Sequence, residues 1–292
     1  MEEQKNSMNI QWYPGHMTKT RRMMEEDLKL VDAVCEILDA RIPISSRNPD
    51  IDAICGKKPR MVILNRIDMA DADLVNRWSN YFKDRGMAVI RTDCKSRKGI
   101  NTFAPAVRQL LSEKLQRYAE KGQVGRPLKL MVVGIPNVGK STFINQIAGR
   151  KGAKAENRPG VTRGKQWVNV DGGLLLLDTP GILWPKFDDP EVGMRLAYTG
   201  AVKDDILDTE TLGCHLMELL AREYPGALTE RYKIEIPTKI DGWELLQAAG
   251  RKRGFLVSGG EVDTERMAKV LLDEYRSCKL GTFTLERPEE LA

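Results

Sequence analysis

The chain has 292 residues, of which 41% are hydrophobic and 30% are charged. This composition excludes a disordered polypeptide, and no run approaches the roughly 20 apolar residues that a membrane span needs. The polar stretch 1–11 has no apolar signal core, and the five cysteines are scattered and odd in number. We therefore expect a cytoplasmic protein in a reducing compartment, with no membrane partner and no structural zinc.

The formal net charge of +5 is unevenly distributed along the chain. Residues 1–200 carry 33 Lys and Arg against 23 Asp and Glu, whereas residues 201–292 carry 13 against 18. The stretch 117–170 is the most basic, with eleven Lys and Arg against two acids. Such a density attracts polyanions such as phosphates or RNA, although a solvated basic face remains the alternative.

From residue 31 onward, short apolar runs of strand type alternate with stretches of helical periodicity. The pattern predicts strands at 31–38, 61–64, 88–90, 130–133 and 174–177, and helices at 74–83, 102–117 and 141–148. This alternation is typical of a parallel sheet covered on both faces. We predict a doubly wound, mostly parallel α/β domain.

The character of the sequence changes after residue 180, where Trp, Pro and Asp residues interrupt the pattern. Helical periodicity returns at 208–223, 242–252 and 264–278. We divide the chain into an N-terminal arm (1–24), the α/β domain (25–184), a linker (185–200) and a small helical C-terminal domain (201–292).

The segment GIPNVGKS at 134–141 fits the phosphate-loop pattern G-x-x-x-x-G-K-[ST] between a predicted strand and a predicted helix. The glycines let backbone N–H groups curl around phosphates, and the helix N-terminus adds the positive end of its dipole. Lys140 is expected to reach the β- and γ-phosphates as a catalytic group, and the Ser141 hydroxyl to ligate Mg²⁺. The predicted contacts are Pro136, Asn137, Val138, Gly139, Lys140, Ser141 and Thr142.

Two further segments supply predicted groups for the metal and the γ-phosphate. In DTPG at 178–181, Asp178 can hold a water on Mg²⁺, while the Gly181 N–H can sense the γ-phosphate. In PGVT at 159–162, Thr162 offers a hydroxyl to the metal and is the candidate switch threonine, with a capping role as the alternative.

The segment Asn65-Arg66-Ile67-Asp68 follows a predicted strand and resembles the N-K-x-D motif that reads guanine. The Asp68 carboxylate can accept from both the ring N–H and the exocyclic amine of guanine, a pairing that adenine does not offer. Arg66 replaces the usual Lys, and its extended side chain can lie over the base. Cys94, in Asp93-Cys94-Lys95, is a candidate backbone donor to guanine, unless that segment is only a loop.

The order of these segments differs from that of ordinary small GTPases, because the base-reading segment precedes the phosphate loop. We therefore predict a circularly permuted GTPase domain, which is feasible because a parallel sheet closes its core whichever surface loop is cut. The segment after Asp178 leads directly into the C-terminal domain, so that nucleotide state can steer that domain.

The chain resembles the circularly permuted ribosome-assembly GTPases of the YlqF/RbgA type. The resemblance rests on the phosphate loop together with WYPGHM at 12–17, DARIP at 39–43, RPGVT at 158–162 and DTPGILWPK at 178–186. It implies a bacterial cytosolic GTPase that associates with the maturing large ribosomal subunit, with the C-terminal helical domain contacting rRNA. The acidic balance after residue 200 counts against that contact, although Lys203, Lys239 and 251–253 are basic. The stretch 117–170 and the arm residues Lys19, Arg21 and Arg22 are equally plausible RNA surfaces.

The position that usually carries the water-activating residue does not hold one here. Ile182 stands where Ras-like enzymes carry a water-orienting Gln, and a hydrocarbon cannot orient water. The family resemblance implies His16 as the supplier, with RNA contact or helix capping as alternatives. Asn137 resembles the Asn that helps bind potassium in cation-stimulated GTPases. His215, by contrast, is expected to be a packed or boundary residue of an apolar helix face.

We expect a GTP-hydrolysing switch that binds the large-subunit precursor, promotes its late assembly and is released on hydrolysis. Turnover is expected to be slow until the ribosomal particle stimulates it, and the protein is expected to be a monomer. The alternative is an RNA-binding checkpoint module with little intrinsic turnover, for which guanine nucleotide is only a ligand. An ATP-using metabolic kinase is disfavoured by Asn65 and Asp68.

Overall fold

The computed structural model describes residues 17–152, 166–179, 181, 189–202 and 208–291. Contacts group these residues into two compact units. The first unit contains the described residues up to 181 together with the C-terminal segment 283–291. The second unit contains 189–202 and 208–282.

The first unit is built on a six-stranded sheet. Its strands are β1 (Ala33–Asp39), β2 (Arg60–Asn65), β3 (Ala88–Thr92), β4 (Leu128–Val133), β5 (Gln166–Val170) and β6 (Leu174–Asp178). The spatial order is β3-β2-β1-β4-β6-β5, and every neighbouring pair is parallel except β5 and β6. All seven residues of β1 are buried, so helices cover both sheet faces. The predicted doubly wound, mostly parallel fold is confirmed.

The helices of the first unit are α1 (Met17–Leu28), α2 (Ile51–Cys55), α3 (Ala72–Asp84), α4 (Phe103–Leu110), α5 (Ser112–Glu120) and α6 (Lys140–Gly152). Helix α3 begins where the Asp71 carboxylate accepts the N–H groups of Asp73 and Leu74. The single helix predicted at 102–117 is instead a short 3₁₀ turn followed by α4 and α5. The break falls at Leu111, which leaves the helical conformation with φ −108° and ψ 22°.

Apolar side chains of the central strands form the core of the first unit. Leu38, Val62 and Leu64 pack against the apolar face of α3, where Trp78 and Phe82 are fully buried. Val34 and Met131 pack against Met24 of α1 in a neighbouring cluster. Because these strands are buried on both faces, their sequences are almost continuously apolar, and this feature made them predictable.

The C-terminal segment 283–291 packs on the first unit. The Phe283 N–H donates to the Met69 carbonyl at 3.1 Å, and the Leu285 N–H donates to the Arg41 carbonyl at 2.7 Å. The Trp78 indole N–H donates to the Glu286 carbonyl at 3.0 Å. The segment therefore joins the loop after β1 to helix α3.

The second unit is helical, as predicted. Its helices are α7 (Pro190–Tyr198), α8 (Thr209–Glu223), α9 (Pro225–Tyr232), α10 (Gly242–Arg253) and α11 (Thr264–Arg276). Helix α7 was not predicted, because Asp189 and Pro190 were interpreted as breakers. The Asp189 carboxylate instead accepts the Glu191 N–H as an N-cap, and Pro190 occupies the first turn, where its missing N–H costs nothing.

A buried carboxylate ties three elements of the second unit together. Glu274 of α11 accepts hydrogen bonds from Arg231 Nε at 3.0 Å, from the Tyr232 hydroxyl at 2.9 Å and from Arg253 Nη2 at 3.0 Å. Burial alone would raise the pKa of Glu274, but these partners outweigh it and hold the pKa below its usual value.

Within the described ranges, none of the helices combines the length and the apolarity that a membrane crossing requires.

Candidate functional site

The predicted site segments lie at the carboxyl edge of the sheet. Strands β1 and β4 are adjacent although two strands separate them in sequence, so the order of the sheet reverses between them. In open α/β sheets, ligands bind in the crevice outside the carboxyl ends of the strands at such a reversal. The phosphate loop follows β4, Asn65 ends β2, and Asp178 ends β6. All three segments therefore reach the same edge.

The phosphate loop has the backbone that its glycines predict. Asn137 and Gly139 adopt positive φ angles of 61° and 97°. A Cβ at Gly139 would lie 2.4 Å from Asn65 Nδ2, and one at Gly134 would lie 2.9 Å from the Ile37 carbonyl oxygen. Gly139 is therefore required both by its φ and by the close approach of Asn65. Helix α6 begins at Lys140, so its N-terminus is presented at the loop.

Lys140, at the end of the phosphate loop, contacts the last residue of β6. The Lys140 ammonium, 7% exposed, forms an ion pair with the Asp178 carboxylate. The hydroxyl of Thr179 donates to the Val132 carbonyl at 2.7 Å, which fixes the chain just after Asp178. A Cβ at Gly181 would lie 3.1 Å from the Pro136 nitrogen, so this glycine lies against the phosphate loop. Asp178 is thus brought to Lys140, and Gly181 to the start of the phosphate loop.

Ser141 and Thr142 lie in the first turn of α6 and are exposed, as is Asn137 in the loop. Val138 is buried, and Pro136 is partly buried. The hydroxyl oxygens of the first helical turn are therefore accessible to a ligand, whereas Val138 anchors the loop to the core.

Asn65 joins the base-reading segment to the phosphate loop. Its Nδ2 donates to the Val138 carbonyl at 2.9 Å, while its Oδ1 accepts from the Thr92 hydroxyl and the Cys94 thiol, each at 3.1 Å. The Asn65 side chain is 2% exposed. Three segments at the carboxyl ends of β2, β3 and β4 therefore share one buried amide.

Arg66 makes a second connection between the same segments. Its φ of 61° lies in the left-handed region, and its Nη2 donates to the Asn137 carbonyl at 2.5 Å. Its Nε lies 3.7 Å from Asp39 Oδ2. The guanidinium therefore contacts the phosphate loop.

Asp39 and Arg41 form a buried ion pair beneath this arrangement. Arg41 Nε donates to Asp39 Oδ1 at 2.9 Å and Arg41 Nη2 donates to Asp39 Oδ2 at 2.7 Å. Burial alone would raise the pKa of Asp39, but the charges of Arg41 and Arg66 outweigh it and keep the pKa below its usual value. Neither residue was predicted to be part of the site. The spacing Asp-x-Arg directly after a buried strand was the available signal.

Asp68 and Cys94 follow the carboxyl ends of β2 and β3, respectively. Asp68 is exposed, and partial desolvation and the charge of Asp93 raise its pKa. Cys94 is buried, and burial raises its pKa to about 11, so it remains a thiol at neutral pH. Its side chain holds Asn65, a contact that the sequence analysis did not include. Its predicted role as a backbone donor stays a prediction.

Several predicted residues lie outside the described residues. They are His16, Thr162 and Ile182, together with Lys203 and most of the arm. His215 was expected to be a packed or boundary residue of an apolar helix face; it lies within the described part of α8 and is exposed, so the packed position is wrong. It occupies the solvent side of the helix, next to Leu216, which is fully buried.

The fold and the loop geometry define a P-loop GTPase domain whose segments are in circularly permuted order. A family model described as "50S ribosome-binding GTPase" matches residues 129–226. "Ribosome biogenesis GTPase A" of Priestia megaterium is 48% identical over 97% of this chain and 98% of its own length. The chain belongs to the ribosome biogenesis GTPase A family, and it is a GTP-hydrolysing enzyme.

Two solved structures are similar over nearly the whole chain. The GNP-bound YlqF from T. maritima has a TM-score of 0.65 and 28% identity, covering 93% of this chain and 99% of that one. A GDP-bound YlqF structure has a TM-score of 0.67 and 27% identity, covering 92% and 100%. These likenesses confirm the predicted family.

Proposed function

We propose that this GTPase binds the maturing large ribosomal subunit in its GTP form, promotes a late step of assembly and leaves on hydrolysis. The names of the relatives support a role in ribosome assembly, and the family description of 50S binding supports the large subunit as the partner. A switch of this kind acts by ordering loops around the γ-phosphate and releasing them when it is lost.

Two hydrogen bonds support the nucleotide assignment most directly. Asn65 donates to the Val138 carbonyl, and Arg66 donates to the Asn137 carbonyl. These contacts hold the base-reading segment against the phosphate loop. A nucleotide whose phosphates lie in the loop would thus bring its base to Asp68. The Asp68 carboxylate would accept two N–H groups of guanine, a pairing of about 1–3 kcal/mol in discrimination.

The phosphates would be held by the backbone N–H groups of 137–142, by the N-terminus of α6 and by Lys140. Phosphate oxygens would compete with Asp178 for the Lys140 ammonium, which contacts that carboxylate in the structure. Hydroxyl and carboxylate oxygens are the ligands that Mg²⁺ prefers. Ser141 and Thr162 would hold the ion directly and Asp178 through a water. When bound, Mg²⁺ neutralises charge on the β- and γ-phosphates.

Ile182 offers no polar group at the usual position, and we assign water activation to His16 on the resemblance to the YlqF/RbgA-type GTPases. A neutral imidazole can accept a proton from water near pH 7. We expect His16→Ala to bind GTP normally and to lose ribosome-stimulated turnover. Unchanged stimulated turnover would remove His16 from the mechanism.

Asn137 is assigned to a potassium ion beside the phosphates. Its positive φ and exposed position in the loop leave the side chain accessible. The test compares GTP turnover in potassium and sodium at equal ionic strength. We expect faster turnover in potassium, and equal rates would refute the assignment.

The helical unit of 189–202 and 208–282 would contact rRNA; it takes most of the predicted domain 201–292, whose end at 283–291 belongs to the first unit instead. The arm 1–24 would supply His16, and the predicted linker 185–200, of which 190–198 forms α7, would couple the nucleotide state to the helical unit. We propose a monomer that acts in the cytoplasm, where ribosomes are assembled.

The experiment is cosedimentation with large-subunit precursors in GDP and in a non-hydrolysable GTP analogue, combined with GTP turnover with and without the particles. We expect stronger binding with the analogue and turnover that the particles stimulate. Equal binding in both nucleotides, without stimulation, would indicate the passive checkpoint module instead.

A further inference from the structure

A basic cleft lies at the amino ends of the central strands. Its cavity has a volume of about 390 Å³. Asp32 precedes β1, Lys58 precedes β2, and Lys129 is the second residue of β4. Because the phosphate loop follows the carboxyl end of β4, the cleft lies at the opposite edge of the sheet from the nucleotide site. It therefore has no part in the GTPase pocket.

Cationic side chains dominate the lining of the cleft. They are Lys29, Lys58, Lys114, Arg126 and Lys129. Among the described residues that line it, Asp32 is the one carboxylate. Lys29 and Arg126 are exposed, whereas the other three cations are partly buried. The cleft consequently carries a large excess of positive charge in a concave space.

The local contacts of Asp32 leave most of this charge without compensation. Its Oδ1 pairs with the Lys114 ammonium, and its Oδ2 accepts the backbone N–H of Lys129 at 2.8 Å. The ammonium of Lys58 donates to the Val31 carbonyl. One carboxylate cannot balance five cations while it also satisfies a backbone donor.

The aromatic ring of Tyr118 contacts two of the cations without neutralising their charge. The Arg126 guanidinium carbon lies 4.9 Å from the ring centroid, and Lys114 Nζ lies 5.6 Å from it. Such contacts orient a cationic head while leaving its charge available to an anion. Burial lowers the pKa of Lys58, with Lys114 adding repulsion and Asp32 opposing it. A bound anion would relieve that repulsion.

We propose that this basic cleft binds the sugar–phosphate backbone of RNA. A phosphodiester chain presents one negative charge per nucleotide, so neighbouring phosphates can meet several of the cations together. The cavity accommodates a short length of single strand, which suits recognition of loops and ends better than of duplexes. The inference rests on the proposed function, since a ribosomal particle supplies the RNA, and it gives that particle a contact on the GTPase domain.

The test is fluorescence anisotropy with a labelled uridine homopolymer, measured on the full chain across a series of salt concentrations. The test variant is Lys29→Ala with Arg126→Ala, chosen because neither side chain holds Asp32. We expect affinity to fall about tenfold and the slope of log K against log salt to decrease by about 0.7 per lost phosphate contact, the value for single strands. The matched control is Lys83→Ala with Arg85→Ala at the end of α3, which removes the same charge from two residues that do not line the cleft.

GDP affinity and intrinsic GTP turnover are measured on the same proteins and should not change. If the test pair and the control pair weaken homopolymer binding equally, the effect depends only on net charge, and the proposal is overturned. Displacement of RNA by inorganic tripolyphosphate at equal phosphate concentration would identify a small-anion site instead, and would also overturn it. If the wild type binds the homopolymer but does not cosediment with large-subunit precursors, the proposed ribosomal function is refuted while RNA binding by the cleft stands.

Discussion

Replacing Asn65 by Ala tests whether one buried amide shapes the nucleotide pocket. The substitution leaves the Val138 carbonyl without its donor and removes the acceptor of Thr92 and Cys94. A buried polar group that loses its partner costs about 1–3 kcal/mol, and the other two bonds are weaker. We expect the free energy of unfolding to fall by about 2–4 kcal/mol. Because the Val138 carbonyl belongs to the phosphate loop, we also expect GDP to bind about tenfold more weakly, or about 1.4 kcal/mol.

Thr92→Val is the matched control, because it removes a hydrogen bond to Asn65 on the side away from the loop. It should cost about 1 kcal/mol of stability and leave GDP affinity near that of the wild type. Urea unfolding followed by circular dichroism gives the stability, and isothermal titration gives the affinity at a temperature where both variants are folded. The reasoning fails if Asn65→Ala binds GDP normally, or if Thr92→Val loses as much affinity.

Three further predictions, two of them with a control variant, test other parts of the structure. Glu286→Gln should lower the free energy of unfolding by about 2 kcal/mol, since the buried carboxylate accepts the N–H groups of 44 and 45. Glu289→Gln, in a solvent-exposed ion pair, should leave the urea midpoint near that of the wild type, and equal midpoints for the two variants would contradict this. Gly139→Ala and Gly173→Ala should both cost about 1–3 kcal/mol because both glycines have positive φ, but titration should show weaker GDP binding only for Gly139→Ala; weakening in both would refute the contact with the amide. Glu274→Gln should cost about 3 kcal/mol at pH 7. The pKa of this carboxylate is lowered by folding, so its contribution is present above the unfolded pKa of about 4.3 and is lost as the pH falls through the folded value. The wild type and Glu274→Gln should therefore converge in acid urea titrations, and a gap that stays constant below pH 4 would contradict the assignment.

Strands buried on both faces were predictable because their apolar runs are continuous. Strand β5 escaped prediction because it is the antiparallel edge strand, in which only Val168 and Val170 are buried. Helix α7 escaped because a capping Asp and a first-turn Pro are locally indistinguishable from residues that break a helix. In both cases the local pattern was ambiguous and tertiary contacts decided the structure.

The contiguous motifs of the site were predictable because the chemistry of phosphate and base binding requires particular residues at fixed spacing. The long-range hydrogen bonds that hold these motifs in place were not predictable. Nothing near Glu286 in the sequence indicates a partner some 240 positions away, although its carboxylate accepts the Ser45 N–H at 2.9 Å. Likewise, nothing local indicates that the Asn65 amide would reach the Val138 carbonyl. Such contacts depend on how distant segments meet, which the spacing of residues does not encode.

The most direct test of the central claim is the choice of base by the pocket that these segments form. Displacement of a fluorescent GDP by GDP and by ADP, in the wild type and in Asp68→Ala, measures it. We predict that the wild type prefers GDP by at least about fivefold, the lower limit for a pairing of about 1–3 kcal/mol, and that Asp68→Ala loses the preference. Equal displacement of the probe by ADP and GDP in the wild type, or a preference that survives in Asp68→Ala, would contradict it.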